Sequence, residues 1–307
     1  MGTIRVTPGM LIDRVLTNLN YQQRQLLRLQ EQLSTGQRVN RPSDDPMATR
    51  RAVAARAVMA QDEQYLTNIS TISPYLLETE TAVQTVENLR QRAYELTLQG
   101  SNNTNGQTQR DQIAIEINSI LEDVLSQANH ITNGRYIFGG SRTMNVPFVA
   151  TRNANGEITA VAYQGNAEKF KIEVSAGVQV EVNEIGSEVF QQTTGNSVDI
   201  FQTLINIRDA LRVGNNAGVA AGLQDITDAQ DQLMVSVARQ GTTQTRINQL
   251  DANLRDISEQ QLKVISDNVD ADFADVIVNL NAQSNAFQAS LNAASRIIQP
   301  SLLDFLG

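Results

Sequence analysis

The residues able to do chemistry are few, and their spacing builds no reaction centre. The 307-residue chain holds one histidine, His130, and no cysteine. A histidine-based triad, a multi-histidine metal site, a thiolate site and a disulfide are therefore excluded within one copy. His130 reads as a structural residue near the end of its helix. Asp267, Asp270, Asp272 and Asp275 are spaced closely enough to suggest calcium, but the glycine and closing glutamate of a calcium-binding loop are missing, so a helix-start cap or solvated face is expected. Asp44 and Asp45 could be taken for a carboxylate pair. Adjacent side chains rarely converge on one substrate atom, and Pro46 explains Asp45 as a helix N-cap, because the residue before proline is pushed out of the helical region. Gly134, Gly139 and Gly140 lack the following Lys-Ser/Thr of a phosphate loop and read as turn glycines. The expectation is a protein that is not an enzyme and takes no cofactor or metal.

What the sequence does specify is surface that must be covered. Ile12, Val15, Leu19, Gln22, Leu26, Leu29 and Leu33 step by three and four, a heptad seam with polar side chains between. Gly36 is a fitting left-handed cap at its end. A very long helical pattern starts at Pro46, with Ile69, Ile72, Leu76, Thr79, Val83 and Val86 on one face and Pro74 as a possible kink. Gly100 to Gly106 reads as a turn into a helix carrying Ile113, Ile117, Ile120, Val124 and Leu125, which makes an αα-hairpin. From about Gly134 the period changes to two, with strands expected at Tyr136–Phe138, Phe148–Ala150, Ile158–Tyr163, Phe170–Val174 and Val178–Val182. The dipeptide Asn155-Gly156 marks a hairpin. Ile200, Leu204, Ile207 and Leu211 form a short helix, and a second very long helix runs from about Ala217, its phase slipping near Gly241. The last seam is Phe273, Val276, Leu280, Gln283, Phe287, Leu291, Ala294 and Ile298, closed by Pro300.

The fold class expected is mainly α with a β insert: long antiparallel coiled-coil helices from both chain ends and a small β-rich domain in the middle. Three parts follow, with 1-45 and 268-307 as terminal assembly helices, 46-133 and 191-267 as a helical bundle, and 134-190 as a β-rich domain. A net charge of −9 leaves no phosphate-neutralising surface, so nucleic acid is not an expected partner. No run of apolar residues approaches the roughly 20 needed for a bilayer span, so membrane insertion is not expected either. The first residues show no secretory signal, which taken alone suggests a cytoplasmic address.

An isolated amphipathic helix of roughly 22 residues is marginal in water. The two end seams therefore need partners. The simplest solution packs Ile12–Leu33 on Phe273–Ile298 and leaves Leu11, Leu16, Leu27, Ile277 and Ile297 free for neighbouring subunits. The ends are expected to be mobile in a lone monomer and to complete their apolar stripes on adjacent copies.

The stretch Leu29 to Pro46, with its Leu33-Ser34-Thr35-Gly36 run and Asp44-Asp45 pair, resembles the flagellin superfamily of axial flagellar proteins. So do Asp270 to Asp275, the seam Val276–Ile298 and the tail from Pro300 to Gly307. Asn133 to Thr143 and Tyr163 to Asn166 are similar to the hook–filament junction branch of that family, the third hook-associated proteins, more than to flagellin. The resemblance implies a ring of identical subunits between the first hook-associated protein and flagellin. It also implies unfolded export through the flagellar type III apparatus with an export chaperone, which replaces the cytoplasmic address by a secreted one. In such a ring the end helices would form the inner tube and the β domain an outer surface. Flagellin itself, and more remotely a soluble coiled-coil signalling or secretion-tip protein, are the competing readings.

Overall fold

The computed structural model describes residues 8–102, 104–192 and 197–298. In chain order they form α1 (Pro8–Thr35), α2 (Pro46–Gly100), α3 (Gln107–Ala128), β1 (Ile131–Thr132), β2 (Arg135–Tyr136), β3 (Phe148–Arg152), β4 (Ile158–Tyr163), β5 (Lys171–Ser175), β6 (Val178–Glu181), α4 (Gly186–Phe190), α5 (Ile200–Arg212), α6 (Asn216–Val269) and α7 (Phe273–Ile298). The fold is mainly α with a β insert. Packing separates two compact units: Asp62–Arg255, and the described parts of Met1–Gln61 with Asp256–Gly307.

Within Asp62–Arg255, Ile113, Ile117, Leu121 and Val124 put one face of α3 into a core shared with Leu204, Ile207 and Leu211 of α5 and Val83 and Val86 of α2. Asp199 starts α5 as its N-cap, accepting from the Gln202 amide at 3.0 Å. Pro74 sits inside α2 without ending it.

The β segment is three separate antiparallel hairpins, β1–β2, β3–β4 and β5–β6. A lone two-stranded hairpin is marginal in water, so each leans on helices. Phe148 of β3 and Ile158 of β4 enter the core of α3 and α5. Val174 of β5 and Val180 of β6 join a second core with Tyr65, Ile69, Ile72 and Leu76 of α2 and Ile247 and Leu254 of α6. Because the hairpins share cores with helices, they pack as part of the same compact unit.

The few aromatic side chains are concentrated here. Phe190 lies edge-on to Phe138 and Phe148 at ring-centroid distances of 4.9 and 5.5 Å, and Phe201 stands 5.2 Å from Phe148. The Tyr163 hydroxyl lies 2.9 Å from the Phe138 carbonyl and 3.1 Å from that of Asn166. Gly140, at φ +65°, brings its backbone so close to Asn166 that a Cβ there would stand 2.2 Å from Oδ1. The Gly139-Gly140 pair is therefore a docking turn, as expected of a non-phosphate glycine pair. Asn155-Gly156 turns the β3–β4 hairpin, with Gly156 at φ +81° and the Asn153 side chain accepting from the amides of Asn155 and Glu157.

Charged side chains pin the hairpins to the helices. Arg208 of α5, buried, donates to the Ile158 carbonyl of β4 at 2.8 Å and to Asn118 of α3 at 2.9 Å. Arg212 grips Glu157 with both guanidinium nitrogens, at 2.9 and 2.5 Å. That grip, helped by Asn153, pulls the Glu157 carboxyl down to about 2. His130 stands 3.1 Å from Glu78, just after the end of α3, a helix-to-helix contact with no further histidine to extend it.

Candidate assembly surface on the terminal helices

The terminal unit is built around the junction of α1, α2, α6 and α7. Gly36 ends α1 at φ +72°, a conformation that costs any side chain dearly, and its amide closes on the Gln32 carbonyl at 2.9 Å. The chain then runs antiparallel to the α6–α7 turn. The Arg38 amide donates to the Val269 carbonyl at 2.7 Å, and the Ala271 amide donates back to Gly36 at 2.9 Å. The Arg38 guanidinium spans the turn, reaching the Asn268 carbonyl at 2.7 Å and Asp45 at 3.2 Å. Gly36 also faces the Phe273 ring: a Cβ there would stand 3.4 Å from it.

Asp45 caps α2 through the amides of Ala48 at 3.0 Å and Met47 at 3.2 Å. These bonds, the one from Ala48 foremost, together with Arg38, hold its carboxyl below the ordinary value. Asp44 instead braces the loop, accepting from the Arg41 amide at 2.9 Å. Asp272 caps α7, its side chain accepting from the Ala274 amide at 2.9 Å. The acidic run is thus a cap with solvated neighbours, and among the described residues no group of three metal-ligating side chains occurs.

From this junction α1 and α7 run side by side. Ile12, Val15, Leu19, Leu26, Leu29 and Leu33 are half-buried, as are Leu280 and Phe287, while Val276 is buried. Midway, the Gln283 amide donates to the Gln22 carbonyl at 3.3 Å. A polar pair inside a seam costs stability and fixes register.

α1 packs on α7, as the simplest pairing of the two seams has it, and the flanks stay open. Phe273 is 53% exposed, because it stands at the first turn of α7 with its ring over Gly36. Leu291 is 44% exposed: the alternation of three and four that runs through Leu280, Gln283 and Phe287 continues to Ser290 and Ala294, which puts Leu291 one position beside the seam. The side chain of Ile298 lies outside the described residues, as do Ile297's and the tail from Pro300.

The flanks carry the exposed apolar surface. Leu11, Leu16, Leu27 and Ile277 are 45–55% exposed. Between the helices run two open grooves of about 370 and 590 Å³, floored on the α7 side by small residues such as Ala282, Ala286 and Ala293. Exposed apolar patches of this kind mark interaction sites. Arg38 and Asn268, which tie the two ends together, were not singled out in the sequence; a lone arginine in an irregular stretch carries no periodic signal.

Residues 10–143 match the family described as the bacterial flagellin N-terminal helical region. The flagellar hook-associated protein 3 of Escherichia coli is 27% identical, over 94% of this chain and 96% of that protein. A flagellin of Clostridium tyrobutyricum is 25% identical over only 50% of this chain and 40% of its own length. Among solved structures, the flagellar junction protein of Legionella pneumophila shares the fold with a TM-score of 0.61 at 15% identity, over 72% of this chain and all of that one. The near full-length likeness to the hook-associated protein, together with the match of residues 10–143 to the flagellin N-terminal region, places the chain in the flagellin superfamily, on its hook-associated branch.

Proposed function

We propose that this chain is an adaptor whose terminal helices make the contacts between subunits and whose Asp62–Arg255 unit is a self-supporting body carried by them. It is a structural subunit of the bacterial flagellum at the hook–filament junction. The observation that carries the adaptor reading is the unequal completion of α1 and α7: their facing residues cover one another, while Leu11, Leu16, Leu27 and Ile277 stay open.

A ring of identical copies would insert such leucines into a neighbour's grooves, with the first hook-associated protein on one side and flagellin on the other. Export through the type III apparatus with a chaperone suits a chain that has no disulfide to undo. An enzymatic role has no support, since the relatives are structural proteins.

The test is Leu16→Asp with Leu27→Asp in the full chain, scoring secretion and filament attachment together. Secreted protein with filaments lost is the expected result. Normal filaments would overturn the reading.

A further inference from the structure

We infer that the stretch Ser236–Gln244 of α6 is a hydrated joint, about which the two apolar cores of the Asp62–Arg255 unit shift relative to one another. Among the buried residues of α6, Val219, Ile226, Leu233, Gln240, Ile247 and Leu254 form an unbroken seven-residue repeat. The apparent phase slip near Gly241 is therefore no slip. The seam keeps its register and changes its chemistry, with one glutamine where an aliphatic residue belongs.

The polar occupants cluster. Ser236 and Gln240 are each 4% exposed, and the Ser236 hydroxyl and the side-chain carbonyls of Gln240 and Gln244 are buried without a hydrogen-bond partner in the chain. These three residues are spaced by four, which puts them in one row along the helix. Gly241 lies among them, with nothing within 4 Å of where a Cβ would stand.

This row separates the two cores. One takes Leu233 and all buried apolar residues of α6 before it; the other takes Ile247 and Leu254. On α2 the same change of core occurs between Leu76 and Ala82, around the buried Thr79, whose hydroxyl is spent on its own helix at the Tyr75 carbonyl. Pro74, which cannot donate a helix hydrogen bond, lies just before that point. Both long helices are thus weakened where the cores part.

Water can reach the row. Ser236 lines a cavity of about 420 Å³ and Gln240 one of about 300 Å³, with Arg239 on both. Buried polar groups without protein partners in such places take ordered water, and water inserted beside a helix is a common origin of bending. One clamp opposes the opening: the buried Glu184 carboxylate accepts from Gln240 at 2.8 Å and from Arg239 at 3.0 Å. A subunit lodged between two unlike assemblies gains from a body that can adjust without unfolding.

Amide hydrogen exchange on the full chain tests this. Amides of 236–244 are expected to exchange roughly tenfold or more faster than those of 226–233 and 247–254, since local opening follows local stability. Ser236→Ala with Gln244→Leu fills the row with apolar groups and keeps the Glu184 clamp; it is expected to slow exchange at 236–244 to the flanking rate. Gly241→Ala, placed in open space, serves as a milder variant expected to move exchange the same way. Uniform exchange from 226 to 254 in the unaltered chain overturns the inference whatever the variants do. So does a fast segment that neither variant slows.

Discussion

Phe148 and Leu26 are both large apolar residues on regular elements, yet Phe148 is 1% exposed and Leu26 only half-buried. Phe148 is surrounded by Tyr163, Phe190 and Phe201 from three other elements. Leu26 has one helix, α7, to lie against. A single partner helix covers one stripe of an amphipathic surface, whereas a multi-element core encloses a side chain on every side. The Asp62–Arg255 unit therefore has the interior of a self-sufficient domain, and the terminal unit has half of one.

That contrast sets the two largest expected effects. Phe148→Ala should cost about 3–5 kcal/mol, the usual loss for an enclosed aromatic. Leu26→Ala, half-covered, should cost about 1 kcal/mol in the monomer. Urea melts followed by probes in each unit measure both. Equal losses would erase the distinction between an enclosed core and an open seam. In assembled flagella the order should reverse, with Leu26→Asp lowering filament attachment more than Phe148→Leu does.

Much of this was legible in the sequence. The heptad steps of Ile12 to Leu33 and the period-two run from Ile158 to Tyr163 identify their elements, because periodicity reports which face is covered. It does not report by what. Leu26 and Val83 carry the same signal, and only the structure separates one partner from many. Leu291 draws the eye as the larger apolar neighbour of Ser290, although the three-four alternation from Phe287 leads to Ser290, and Gln240 was hidden because a polar residue in a seam looks like a lost phase. The latch of Arg38 and Asn268 joins residues 230 positions apart, and no local pattern reports that.

The junction between the chain ends allows two finer tests. Gly36→Ala places a Cβ at φ +72° against the Phe273 ring and should destabilise the terminal unit by about 1–2 kcal/mol, leaving the Asp62–Arg255 transition in place. Gly36→Asn should cost less, since asparagine tolerates the left-handed region. Asp45 acts through charge. Its carboxyl is held below the ordinary 3.8, so its contribution is complete above that value and is lost as pH falls through the depressed folded one. Asp45→Asn keeps a capping oxygen without the titration, and the terminal unit should then lose its acid sensitivity below about pH 4 while remaining folded at neutral pH.

The smallest effect is also the one that separates burial from pairing as causes of pH dependence. Within the Asp62–Arg255 unit, Glu157 and Glu184 both contact an arginine, but they are shifted in opposite directions. Glu157 is drawn down to about 2 by its two-pronged grip from Arg212, so it stabilises above 4.5 and that stability fades as pH falls toward 2. Glu184 is raised above 4.5 because burial outweighs Arg239, Lys169 and the Gln240 amide, with Glu188 adding to the rise. A raised carboxyl binds its proton more tightly folded than unfolded, so its contribution is greatest below 4.5 and declines as pH rises through the folded value. Glu184→Gln should flatten the stability profile just above pH 4.5 and leave the limb between 4.5 and 2 intact, whereas Glu157→Gln should do the reverse. Thermal melts across that range decide it, and a Glu184→Gln profile that loses the acid limb instead would mean that the Arg239 pair, not burial, governs this carboxylate.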